Sequence, residues 1–108
     1  MATVTLDGTA ITDWDAFHRQ CRTAFGFPDF YGRNMSAWID CLSGLRDDDG
    51  MSGFSLAADE VLHIEVLHSL VLRREAPEIL GALEECTAEV NERYTDSGEK
   101  TALSLVLR

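Results

Sequence analysis

The sequence has little of what disulfide-stabilised, zinc-binding or membrane proteins depend on. Its three cysteines, Cys21, Cys41 and Cys86, are odd in number, lie far apart and form no CxxC pair, which argues against a disulfide framework and a zinc site. No segment approaches the roughly 18 uninterrupted apolar residues of a membrane span, and the first residues, MATVTLDG, contain neither a basic region nor an apolar run. We therefore expect reduced thiols in the core of a cytoplasmic protein.

Basic residues are also scarce. Nine Lys and Arg against nineteen Asp and Glu give a formal net charge of -10. This charge repels phosphate backbones and anionic lipid surfaces and attracts basic partners, so we expect no direct contact with nucleic acid or membrane. The 108 residues, 45% of them apolar, suffice for one compact domain over residues 1–108, which we expect to be a monomer when free.

The hydrophobic pattern predicts alternating strands and helices. Three segments predict strands, the last two as inner strands covered on both faces: residues 2–6, 61–67 and 101–107. Three segments predict helices: residues 13–25, 35–45 and 77 to about 93. Residues 68–75 do not distinguish a short helical turn from a loop. Because helical connections return a chain to the same sheet edge, the fold class is α/β, a small three-stranded parallel sheet packed with helices.

Local signals place the ends of the first two helices. Thr12 and Asp15 have the spacing of a capping box, and Gly26 follows the last apolar residue of the first helix. Asn34 is a good N-cap for the second helix. We therefore expect a loop between the two helices, opened by Pro28.

Residues typical of an enzyme site do not converge in the sequence. His18 is expected on the outer side of the first helix and His63 on a strand, so the pattern does not support a cysteine–histidine dyad. The segment Asp47 to Asp49 resembles a calcium loop only faintly, because no glutamate closes it at the right distance. We expect no catalysis, no metal and no cofactor.

One carboxylate has no local explanation. Asp40 lies too far into the second helix to offset its N-terminal partial charges, and positions 36, 37, 43 and 44 hold no basic residue to pair with it. Trp38 is expected to face the core, whereas Ile39 and Phe30 are expected to leave apolar surface beside the carboxylate. An unpaired carboxylate beside apolar surface predicts a contact patch for a cationic partner.

The segment FPDFYGRNMSAWIDCLSG, residues 27–44, resembles the barstar family, the small intracellular inhibitors of bacterial ribonucleases. The family's hallmark is a Pro-acid-aromatic-Tyr-Gly-x-Asn loop that leads into a helix ending in Asp-Cys-Leu-x-Gly. The resemblance implies a barstar-like fold and an immunity protein without catalytic activity. In such a protein the loop and helix cover the active site of a basic ribonuclease or ribonuclease toxin, and Asp40 takes the place of an RNA phosphate.

The resemblance also implies which residues form the partner-binding surface. Aligning ILGALEEC with the family's late helix places Glu85 on the position of a second acidic contact. The expected contact residues are Phe30, Gly32, Asn34, Met35, Ser36, Ile39, Asp40, Gly44 and Glu85. For Gly32 and Asn34, structural roles in a tight loop and a helix cap compete with the contact role.

Two alternatives stay open, and departures from the family's prototype motivate the first of them. The prototype has an aspartate where Ser36 stands and a tryptophan where Ile39 stands, so the surface here is less acidic and less aromatic. One alternative is a binding module of the same fold that engages another basic protein without inhibiting a ribonuclease. The other is a small hydrolase that uses Cys41 or Cys86 with a histidine.

Overall fold

Strands and helices alternate in the computed structural model, which describes residues 2–29, 31–46, 56–57 and 59–108. Within these ranges the chain forms three strands: β1 (Ala2–Asp7), β2 (Leu62–Leu67) and β3 (Leu103–Leu107). It also forms four helices: α1 (Trp14–Phe25), α2 (Met35–Leu42), α3 (Ser69–Glu75) and α4 (Pro77–Asp96). The order along the chain is β1, α1, α2, β2, α3, α4, β3. The ambiguous segment 68–75 thus contains a short helix.

The three strands form one parallel sheet in the order β1-β2-β3, which makes β2 the central strand. Val4 pairs with Ile64, and Ile64 pairs with Leu105 on the other side. In the described parts of the two connections between strands there are two helices each, and such crossover connections are what parallel pairing requires. The prediction of an α/β fold with a small three-stranded parallel sheet is confirmed.

The prediction that both later strands are inner strands is wrong for β3. This strand lies at an edge of the sheet, and only Leu103 in it is fully buried. On β1, Thr3, Thr5 and Asp7 are exposed and alternate with buried Val4 and Leu6, so the helices cover one face of the sheet. A continuous apolar run such as that of β3 is typical of a strand covered on both faces. In this structure the second face of β3 is only partly covered.

The core lies between the helices and the covered face of the sheet. Its largest side chains are the fully buried Phe17 and Phe25 of α1 and Trp38 of α2. α4 adds an apolar stripe: Ile79, Leu80, Leu83, Val90 and Tyr94. The predicted core position of Trp38 is confirmed. Among the residues that the structure describes, no helix has both the length and the apolar character needed to cross a membrane.

The sequence signal for the N-terminal end of α1 is wrong by one residue, and the signal for its C-terminal end is correct. Its N-cap is Asp13 and not Thr12, since the Asp13 carboxylate accepts a hydrogen bond from the Ala16 N–H at 2.8 Å. Aspartate and threonine are both good N-caps, and the two candidates here are adjacent in the chain. Gly26 ends the helix as predicted, in the left-handed conformation with φ 68°.

Gly8 allows β1 and β2 to end close together. Its N–H donates to the Leu67 carbonyl at 2.8 Å. A Cβ at this position would lie 2.6 Å from the Leu67 carbonyl oxygen and 2.8 Å from that of His68. Backbone atoms cannot give way as a flexible side chain can, so any larger residue would displace the end of the sheet.

We predict that Gly8→Ala lowers the free energy of unfolding by about 1–3 kcal/mol, because the added methyl group overpacks a site walled by backbone. Gly81→Ala is the matched control. A Cβ at Gly81 meets nothing within 4 Å, and in a helix interior alanine is favoured over glycine by about 0.5–1 kcal/mol. Urea unfolding of the three proteins measures both effects. Equal stability of Gly8→Ala and the parent would contradict the close approach.

Candidate partner-binding site

The loop between α1 and α2 is fixed to the core by aromatic side chains. Phe27 and Tyr31 are both buried, with ring centroids 4.7 Å apart. The Tyr31 hydroxyl lies 2.7 Å from Nδ1 of His18 on α1. Burial raises the pKa of Tyr31, so the hydroxyl keeps its proton. This buried hydrogen bond ties the loop to α1.

The prediction that His18 lies on the outer side of α1 is wrong, because the residue is only 4% exposed. Its ring stacks on Trp14 and packs against Tyr31. Burial lowers the pKa of His18, and the nearby Arg33 lowers it further while Asp15 opposes the shift. The imidazole is therefore neutral near pH 7.

We predict that His18 makes the protein less stable as the pH falls. Because the pKa of His18 is lower in the folded than in the unfolded protein, the unfolded state binds more protons below about pH 6.5. The stabilisation is complete above the unfolded pKa and is lost as the pH falls towards the folded pKa, by at most ~1.4 kcal/mol per pH unit.

The variant His18→Asn isolates this contribution, since the asparagine amide does not titrate and can still hydrogen-bond with the Tyr31 hydroxyl. Urea unfolding of the parent and of His18→Asn between about pH 7 and pH 5.5 measures the two slopes. We expect the steeper loss in the parent. Parallel pH profiles would show that the buried imidazole does not contribute.

The tip of the loop is exposed and held by Asn34. The Asn34 side chain accepts from the Ala37 N–H at 2.8 Å and donates to the Gly32 carbonyl at 3.2 Å. The predicted N-cap is thus confirmed. The left-handed backbone of the loop falls on Arg33, with φ 52°, and not on Gly32. Gly32 therefore does not supply a left-handed conformation, but a Cβ there would lie 3.3 Å from Asn34 Nδ2, so its lack of a side chain suits the tight loop.

α2 presents a polar outer face. Ser36 and Asp40 are exposed, and Met35 is half-buried. Ile39 is only 7% exposed and belongs to the core, so the expectation that it leaves apolar surface beside Asp40 is wrong. Side chains adjacent in a helix point in directions about 100° apart, and here that rotation carries Ile39 inward. Phe30, the other apolar residue expected there, lies outside the described residues.

Asp40 projects outward as expected, with 61% of its side chain exposed, but it has a partner within the molecule. Arg93 of α4 donates through Nη1 to Asp40 Oδ1 at 3.1 Å, and the same nitrogen lies 3.3 Å from Ser43 Oγ. The expectation of an unpaired carboxylate is therefore wrong. It rested on positions in the same helix, whereas Arg93 is 53 residues away along the chain. An exposed pair of this kind contributes only about 0–1 kcal/mol, so it is easily exchanged.

Tyr94, the residue after Arg93, fixes the C-terminal end of α2. Its buried hydroxyl donates to the Leu42 carbonyl at 2.8 Å and accepts from the Leu45 N–H at 3.0 Å. These bonds replace the helical bonds that would continue α2, so the helix ends at Leu42 and not at residue 45 as predicted. Gly44 lies half-buried in the turn that follows.

Arg46, which follows the turn after α2, is also buried and contacts Tyr94. Only 5% of its side chain is exposed, and it donates to the carbonyl oxygens of Lys100 at 2.8 Å and Glu60 at 3.1 Å. Its guanidinium carbon lies 5.1 Å from the centroid of the Tyr94 ring, a cation–π contact. The sequence pattern predicts Tyr94 in the buried stripe of the last helix, which is confirmed, but it did not indicate the hydrogen bonds of Tyr94 or Arg46, whose partners are distant in the chain.

We predict that Tyr94→Phe lowers the free energy of unfolding by roughly 1–3 kcal/mol, because it leaves the buried Leu42 carbonyl and Leu45 N–H without their partner. The aromatic ring and its packing are retained, so the variant tests the hydroxyl alone. Urea unfolding measures the change. A variant as stable as the parent would show that water satisfies both backbone groups equally well.

Glu85 is exposed on α4. It precedes Arg93 by eight residues, which is roughly 12 Å along a helix axis. Glu85 and Glu89 both flank Cys86 and add to the effect of burial in raising the pKa of that thiol. Glu85 and Arg93, the partner of Asp40, therefore lie about two turns apart on α4.

The thiols lack the activation that a nucleophile needs. Burial raises the pKa of Cys21 to about 12, and burial together with Asp40 raises the pKa of Cys41. The thiolate is the reactive form, so these shifts argue against the hydrolase alternative. Among the described residues, no three His, Cys, Asp or Glu side chains form a group that could hold a metal. The faint calcium-loop segment Asp47 to Asp49 lies outside the described residues.

Comparison with known proteins places this geometry in a family. The family described as Barstar (barnase inhibitor) matches residues 1–106, so the chain belongs to the barstar family. A Bacillus subtilis (strain 168) protein named "Putative ribonuclease inhibitor YrdF" is 36% identical over 47 residues, which are 44% of this chain and 52% of that protein. The chain thus spans about half the length of the curated relative that it matches. The resemblance drawn from residues 27–44 is confirmed.

Proposed function

We propose that this protein binds a basic ribonuclease or ribonuclease toxin and blocks its active site, with Asp40 as the central anion. The observation that carries the proposal is the exposure of Asp40 on a helix whose two ends are fixed, by Asn34 and by Tyr94. Membership of a family described as barnase inhibitors and the name of the Bacillus relative support ribonucleases as the partner class.

The chemistry of Asp40 suits a site that normally binds phosphate. Guanidinium groups bind carboxylates and phosphates through the same pairs of parallel hydrogen bonds, so a carboxylate can occupy the place of a phosphate. The bond from Arg93 uses only Oδ1 of Asp40. Because the pair is exposed and weak, a partner's cation can approach Oδ2 or replace Arg93 at low cost.

Most of the other proposed contacts lie shortly before or after Asp40 in the sequence. Gly32 and Asn34 form the exposed loop tip, Met35 and Ser36 begin α2, and Gly44 follows it. Phe30 belongs to the same loop in sequence. Ile39 is proposed to support this surface from below, since it is buried. Glu85 is proposed as a separate acidic contact on α4.

The proposed role is that of an inhibitor or immunity protein and not of an enzyme. We propose that it acts in the cytoplasm as a single barstar-like domain over residues 1–108, monomeric until it meets its ribonuclease. The formal net charge of -10 favours a basic protein over nucleic acid or membrane as the direct partner.

We predict that Asp40→Asn weakens inhibition of the target ribonuclease by at least ~2 kcal/mol, roughly thirtyfold in Kd, which is the usual threshold for a residue that anchors an interface. Glu84→Gln is the matched control. It removes the same charge from an exposed position on α4, nine residues from Arg93 and thus about half a turn around the helix. Titration of each variant against a panel of basic ribonucleases measures the inhibition constant.

Three results would argue against this proposal in different ways. Equal inhibition by the parent and Asp40→Asn would remove Asp40 as the anchor. Equal weakening by Glu84→Gln and Asp40→Asn would show that overall charge, and not a local contact, drives binding. Capture of a basic protein that is not a nuclease, with no ribonuclease inhibited, would favour the alternative binding module.

A further inference from the structure

One ion pair joins the single charged residue of α2 to the single basic residue of α4. α2 carries no charge except Asp40, and α4 carries six acidic residues and one basic residue, Arg93. Arg93 Nη1 lies 3.1 Å from Asp40 Oδ1 and 3.3 Å from Ser43 Oγ. The protein therefore places its own cation on the carboxylate that the proposed function assigns to a partner's cation.

The contact is one-sided, and both groups stay accessible. Both hydrogen bonds use Nη1 of Arg93. Within the described part of the chain, no hydrogen bond reaches Asp40 Oδ2 or the Nη2 and Nε of Arg93. The Arg93 side chain is 48% exposed and that of Asp40 61%. A binding partner can thus reach the open edge of the carboxylate while Arg93 remains beside it.

The stability of the fold does not depend on this pair. Ion pairs exposed to this degree contribute little to folding, because water screens them and two side chains must be ordered. Tyr94 already holds the end of α2 through buried hydrogen bonds to Leu42 and Leu45. Removal of Arg93 would leave α2 in place, so its consequence lies in the charge that α2 presents.

We propose that Arg93 is a specificity-determining residue, a built-in counter-ion that weakens the binding of cations to Asp40 unless the partner also offers an anion to the guanidinium. This inference rests on the proposed function, because it takes Asp40 as the contact for a cation. A purely cationic group meets repulsion from Arg93. A guanidinium with a carboxylate next to it gains a second ion pair, so the preferred partner surface is basic with an adjacent acidic group.

Arg93→Gln tests the inference, and Arg73→Gln is the matched control. Both remove one positive charge from an exposed arginine, but Arg73 lies on α3, away from the pair. The probe is a tetra-arginine peptide, and its binding is followed at the backbone amide NMR signals of Asp40 and Cys41. We expect Arg93→Gln to bind about two- to fivefold more tightly than the parent. Arg73→Gln should change the affinity less, and added salt should reduce the gain.

Two further measurements make the test specific. In the Asp40→Asn background, Arg93→Gln should bring no gain, because the carboxylate that it releases is absent. For a peptide of alternating arginine and glutamate, Arg93→Gln should bring a smaller gain or a loss. The inference is overturned if Arg93→Gln and Arg73→Gln have the same effect, or if the gain persists without Asp40.

A ribonuclease assay separates this inference from the proposed function. If the parent inhibits no ribonuclease and the peptide results are as expected, the proposed function fails and the role of Arg93 stands. If Asp40→Asn abolishes inhibition while Arg93→Gln changes neither peptide nor ribonuclease affinity, the role of Arg93 fails and the proposed function stands.

Discussion

The hydroxyl of Tyr94 connects the two helices on which the candidate site is built. By bonding the Leu42 carbonyl and the Leu45 N–H, it fixes where α2 ends and how that end lies against α4. The adjacent residue of α4 is Arg93, so the same bonds bring its guanidinium to Asp40. Buried hydrogen bonds are costly to break, whereas the exposed ion pair is not. The geometry of the charged surface is therefore set by neutral groups beneath it.

The loop before α2 depends on a comparable division between buried and exposed groups. Tyr31 and His18 hold the loop from inside by a buried hydrogen bond, and Asn34 holds its tip by capping the helix. Between these points Gly32 and Arg33 are exposed, and Arg33 also donates to Asp15 of α1 at 3.3 Å. Arg33 takes the left-handed conformation there, an uncommon one for a residue with a side chain. A loop held at both ends is preorganised, which reduces the ordering cost of binding.

Features encoded locally could be predicted from the sequence, and those that depend on distant residues could not. Helical periodicity, the cap at Asn34 and the glycine stop at Gly26 each act within a few residues, and the structure contains all three. The partner of Asp40 is 53 residues away, beyond any spacing rule for one helix. The burial of His18 depends on a tyrosine supplied by the following loop. Periodicity shows that a helix has two faces, but the covering elements decide which residues at the boundary are buried.

Net charge and local charge act at different distances in the proposed complex. Attraction from the net charge of -10 extends over about a Debye length, ~8 Å at physiological ionic strength, so many carboxylates contribute to it together. At contact distances the Asp40–Arg93 pair has no net charge. The affinity then depends on how a partner's charged groups fit the exposed atoms of the two side chains. Rates of association follow the long-range field, whereas rates of dissociation follow contacts. An acidic surface with a neutral ion pair at its centre would therefore associate rapidly with basic proteins. It would dissociate slowly only from those whose charged groups match the Asp40–Arg93 pair.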